Sequence, residues 1–148
     1  MIDILRRLLA PAPETLPKPD ARMALAALLV RIARTDGLYS AEEVERIDRI
    51  LARHHGLGPF EAAGLRTEAE EIEAAAPDTV RFTQAIKAAT ALEDRSDLMT
   101  ALWSVALADG QRDAMEDRMM RMVATLLGLN DVESAQARQR AEREADQE

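Results

Sequence analysis

Residues 23–43, MALAALLVRIARTDGLYSAEE, and residues 96–116, SDLMTALWSVALADGQRDAME, decide how this chain folds, because they are two copies of one pattern. Aligned on their Asp-Gly pairs, Leu25 falls on Leu98, Leu29 on Leu102, Ala33 on Ala106, Ala41 on Ala114 and Glu43 on Glu116. Ile32 matches Val105, Ile47 matches Met120 and Ile50 matches Val123, so apolar character is kept where identity is not. After a slip of one residue, Gly56 and Leu57 meet Gly128 and Leu129. Each copy therefore predicts a helix apolar on nearly every face, a tight turn at Asp36-Gly37 or Asp109-Gly110, and an amphipathic helix. A helix with no polar face belongs inside a core, and two such hairpins pack best as a pseudo-symmetric pair.

Outside the repeats the pattern stays helical. Pro59 suits the first position of a helix through Ala76, weakened by Gly64. Asp78 can cap the next, carrying Val80, Phe82, Ile86 and Leu92, and Ser96 or Asp97 can begin the second apolar helix. Ile2 to Leu9 forms a short amphipathic helix, followed by the Pro-rich tether PAPETLPKP, whose prolines favour extended backbone. From Asp131 the chain is polar, with almost no apolar face after Ala135, so its end is expected to fray. The resulting division is an N-terminal helix and tether over 1–19, an all-α domain over 20–133 with repeats near 23–57 and 96–129, and a polar helical tail over 134–148.

Composition removes whole classes of function. With no Cys there are no disulfides, thiolate metal sites or cysteine nucleophiles. A net charge of −8, with Arg interleaved among Glu and Asp, argues against nucleic acid and favours cations or basic partners. The first residues are too short and too charged for a signal sequence, and no apolar run is long enough to span a bilayer, so a cytoplasmic, non-transmembrane protein is expected.

The repeated corner, ARTDGLYSAEE in one copy and ALADGQRDAME in the other, resembles the tellurite-resistance protein B (TerB) family over Met23 to Leu129. The resemblance implies a compact bundle of about seven to eight helices, clustered acidic residues thought to hold a divalent cation, and proteins linked to stress responses and membrane-associated complexes. It implies no defined cellular activity, and a fold alone does not carry tellurite resistance.

Two readings of the acidic corners stand side by side. If the turns share one end of the fold, Asp36, Glu43, Asp109 and Glu116 converge, with Asp113 as an additional group beside Glu42 and Asp117. Crowded carboxylates are relieved by protonation, an Arg partner or a cation, and oxygen ligands favour Mg²⁺ or Ca²⁺, with Mn²⁺ a further candidate. Alternatively, Ser40 to Glu43 and Asp113 to Glu116 both have capping-box spacing, and Gly37 and Gly110 suit helix ends. On that account the protein is a metal-independent interaction adaptor.

Neighbouring possibilities fall away. An EF-hand needs oxygen ligands where Ile32, Arg34, Val105 and Leu107 stand, and a di-iron bundle needs Glu-x-x-His pairs that His54 and His55 do not complete. Those histidines are expected at a helix C-terminus, where a protonated ring suits the dipole. Met115, Met119, Met120 and Met122 read as packing before partner groove, and Trp103, matched to Val30, reads as core. The N-terminal helix with Arg6 and Arg7 is expected to fold back on the domain in preference to touching a membrane. No nucleophile, base or phosphate-cradling loop is present, so no catalytic residue is assigned and metal-assisted hydrolysis is the weakest of the readings. A protein partner is expected, with a homodimer as one form of it.

Overall fold

The computed structural model describes residues 20–35, 37–76, 78–108 and 114–147, with the backbone alone for 114–116. The helix expected over Ile2 to Leu9 and its tether lie outside them. Seven helices occur among the described residues: α1 (Ala21–Arg34), α2 (Ala41–His55), α3 (Pro59–Ala75), α4 (Val80–Ala89), α5 (Leu92–Ala106), α6 (Ala114–Leu126) and α7 (Asp131–Asp146). No described helix is long and apolar enough to cross a membrane.

Helix α1 is the axis. Asp20 caps it by accepting from the Met23 N–H at 2.8 Å. Every residue from Ala24 to Val30 is buried, as are Ile32 and Ala33. A helix this apolar can only be satisfied by neighbours on all sides, and α2, α3, α4, α5 and α6 all pack against it. Gly37 then takes φ +81°, a left-handed turn that a Cβ would strain, and the chain reverses into α2. That helix buries one seam, Glu43, Ile47 and Leu51, at helical spacing. Gly56 ends it with φ +63°, and the Leu57 N–H bonds back to the Ala52 carbonyl at 3.0 Å.

Helix α3 runs unbroken through Gly64 from Pro59 to Ala75, as its pattern predicts, with Ala62 and Ala69 inward. Two boundaries differ from the sequence reading. The second apolar helix starts at Leu92, ahead of Ser96, because Ala91 is extended and Glu93 and Asp94 occupy a first turn that favours acidic groups. The C-terminal stretch does not fray after Ala135. It forms α7 through Asp146, begun by a capping box between Asn130 and Glu133, and α7 packs along α5. Its seam is made of small residues, Ser134, Ala137 and Ala141, which a search for large apolar side chains passes over.

Arginines finish the joints between helices. Arg31 reaches across from α1 to the Glu73 carboxylate at 3.1 Å, to the carbonyls of Glu73 and Ala76 at 3.1 and 2.7 Å, and lies 5.2 Å over the Phe82 ring. The carbonyls left open at the end of α3 are thereby satisfied by a neighbouring helix.

Candidate functional site

Of the carboxylates expected at the corners, Glu43 is described in full. Its oxygen accepts from the Ser40 N–H at 3.0 Å while the Ser40 hydroxyl accepts from the Glu43 N–H at 3.1 Å, the reciprocal capping box expected from the spacing. Burial distinguishes it from an ordinary cap. Glu43 is 1% exposed and among the largest fully buried side chains, whereas Glu133, which makes the same reciprocal bonds to Asn130, remains part-exposed. A carboxylate is expensive to remove from water unless its oxygens are bonded, so the Ser40 amide accounts for part of its cost.

Asp36, Asp109 and Asp113 lie outside the described residues, as does the side chain of Glu116, whose backbone belongs to the first turn of α6. Among the described residues no three His, Asp or Glu side chains gather in a way that could hold a metal ion. The flanks of the corners are nevertheless in place. Arg46, early in α2, donates to the Ser104 hydroxyl, late in α5, at 3.2 Å. At the other end of the same contact His54, late in α2, feels the charge of Asp97, early in α5. Helices α2 and α5 are therefore antiparallel, and the start of α2, which Gly37 feeds, lies beside the end of α5, from which Asp109 follows in sequence. The first hairpin pairs α1 with α2, the second pairs α5 with α6, and α1 packs on both α5 and α6.

Other residues singled out in the sequence take simpler roles. Trp103 is 6% exposed and its indole N–H donates to the Ser134 hydroxyl at 3.2 Å. Met120 is buried and Met119 packs against the core, while Met122 is 42% exposed. The histidines sit in the last turn of α2, as expected, but burial, with Arg53 beside His54 and Arg22 beside His55, pushes both rings below the ordinary histidine range and disfavours the protonated form there.

Sequence reading missed a basic cleft. Arg46, Arg49, Arg53 and His54 of α2 face Thr100 and Ser104 of α5 across a space of about 530 Å³, closed on a third side by Arg140 of α7. The signal that could have found it is the spacing of Arg46, Arg49 and Arg53, which puts all three on one helical face. The acids Glu42, Glu43 and Glu45 just ahead of them and Asp48 among them hid it.

Comparison with known proteins bears on the family. The model of the family described as tellurite resistance protein TerB matches residues 22–139. No curated protein matches the chain. Among solved structures, a protein of unknown function from Porphyromonas gingivalis W83 is similar with a TM-score of 0.55 and 17% identity, covering 88% of this chain and 98% of that one. At that identity the likeness speaks for the fold alone. The family match spans most of the chain, from the first turn of α1 into α7, and agrees with the all-α architecture and the doubled corner motif: the chain belongs to the TerB family.

Proposed function

We propose that this TerB-family chain is a non-catalytic module that binds a divalent cation, Mg²⁺ or Ca²⁺, between its Asp-Gly corners and uses the bound state to organise a protein partner. Asp36, Glu43, Asp109 and Glu116 would supply the oxygens, with Asp113 as an additional ligand. The observation that carries the reading is the antiparallel packing of α2 on α5, marked by Arg46 and Ser104, since corners at opposite ends could share no ion. The Glu43 carboxylate, held at the start of α2 by the Ser40 amide, is the described acid that this reading places at the corner. A role in stress response rests on the family resemblance alone.

Calorimetric titration of the chain with Ca²⁺, Mg²⁺ and Mn²⁺ tests the proposal. Binding that disappears in the double variant Asp36→Ala, Asp109→Ala is the expected result. Ion at about a hundredfold its Kd would add about 2.7 kcal/mol to stability, visible as a thermal shift. No heat and no shift with any of the ions refutes it.

A metal-independent adaptor is the second reading. Leu38 is 66% exposed directly after the Gly37 turn, and Phe60 is 93% exposed at the start of α3. Partner capture that survives chelator and is lost on Leu38→Asp favours the adaptor.

A further inference from the structure

Folding sorts the charges of α2 into faces, and the result is a concentration of guanidinium groups in an otherwise acidic molecule. Arg46, Arg49 and Arg53 rise from one side of α2, and Arg140 approaches them from α7. Asp97 and Glu144 are the acids that line the same cleft, so four cations face two anions there while the whole chain carries −8. Asp97 offers Arg140 little: its side chain is 70% exposed and the pair is 3.6 Å apart.

Two guanidinium groups retain donors for a ligand. Arg53 makes no hydrogen bond or ion pair with any described residue. Arg140 is anchored through Nη2 to the Ser96 hydroxyl at 2.7 Å and lines the cleft with 38% of its side chain exposed, its Nε lying buried out of a ligand's reach. Ser104 adds a hydroxyl from the opposite wall, with Arg46 already positioned on it.

We propose that the cleft between α2, α5 and α7 binds a small, multiply charged oxyanion, a phosphate or polycarboxylate compound, through Arg53 and Arg140. The planar fork of arginine matches the oxygens of either group, and converging forks select a ligand with more than one charge. The volume suits a small molecule. Ile50 and Ala101 are the apolar residues lining the cleft, which gives an acidic peptide little to bury. The proposal does not depend on a cation at the acidic corners.

Calorimetry on the full chain at low ionic strength, with inorganic pyrophosphate and with citrate as probes, tests this. Arg53→Ala should weaken binding of the preferred probe by about tenfold or more, and Arg53→Glu should abolish it. Arg53 is exposed and unbonded, so the melting temperature should hold in Arg53→Ala, while Arg53→Glu places an acid in the last turn of α2 and should lower it by about a few degrees. His54 provides a local reporter: its ring, flanked by Arg53 and Asp97, with Arg49, Arg140 and Glu144 in the same cleft, should shift in NMR spectra on adding the probe and take up protons at higher pH. The stronger probe decides between the phosphate and carboxylate classes. Absence of heat with both probes overturns the proposal, as does equal binding by wild type and Arg53→Glu. A hexaglutamate peptide that binds more tightly than either probe also overturns it, in favour of an acidic protein segment.

Discussion

The indole N–H of Trp103 on α5 donates to the hydroxyl of Ser134 on α7 at 3.2 Å, a buried bond that fixes the last helix against the second apolar one. Ser134→Ala removes the acceptor of that bond at a buried position. The expected cost is about 1–3 kcal/mol. As the chain has one Trp, urea unfolding followed by fluorescence reads both the loss of stability and any change at the ring.

Arg31 combines an ion pair, carbonyl bonds at the end of α3 and a stacked ring, with 13% of its side chain exposed and 12% of its partner Glu73. Arg31→Ala leaves the Glu73 carboxylate to Arg34 alone, 2.6 Å away, and opens the carbonyls of Glu73 and Ala76, and should cost about 1–3 kcal/mol. Arg31→Lys should recover only part of this, since an ammonium cannot serve all those acceptors or stack. Thermal melts of both variants separate charge from shape.

Two glycines should respond to alanine with opposite sign, although neither crowds a neighbour. Gly64 lies inside α3 and a Cβ there meets nothing within 4 Å, so Gly64→Ala should stabilise by about 0.5–1 kcal/mol. Gly56 is equally open but holds φ +63°, so Gly56→Ala should destabilise by about 1–2 kcal/mol. Chemical denaturation of the pair isolates backbone conformation from packing.

Tyr39 is pushed up to about 12, by burial first and by the Glu70 carboxylate next. The folded protein therefore holds the phenolic proton more tightly than the unfolded chain. Its contribution to stability is whole below pH 10 and is lost as pH rises toward 12. The chain has a single Tyr, so absorbance titration in the near ultraviolet should show phenolate forming well above the usual range, and Glu70→Gln should bring it down.

His54 and His55 run the other way, both lowered chiefly by burial. Here the unfolded chain binds protons more readily. Stability is whole above about pH 6.5 and falls as the pH drops below it. Melting temperatures between neutral and mildly acid pH should decline, and the double variant His54→Gln, His55→Gln should flatten the decline.

The central helix and its corner were legible because all-round apolarity, an Asp-Gly pair and a capping box are local signals carried by consecutive residues. Trp103 could be placed in the core from its match to Val30. What failed depended on distance or subtlety. The start of α5 was misjudged because Ser96 and Asp97 look like caps, yet Ser96 serves Arg140 and Thr100 from within the helix. Helix α7 was underrated because its inward face is Ser and Ala. The arginine cleft joins positions from three helices, and no local pattern links Arg53 to Arg140. Within the acidic site, the Ser40–Glu43 pairing was read correctly, while convergence of the remaining carboxylates is a long-range property that spacing cannot express.

The buried capping box also makes chemistry and architecture inseparable at this corner. One carboxylate both closes the first turn of α2 and lies out of reach of bulk solvent. A ligand that pulls the bonded Glu43 oxygen away releases the Ser40 amide. Occupancy would then be reported mechanically, as a loosened or tightened helix origin that hydrogen exchange at a single peptide group can follow.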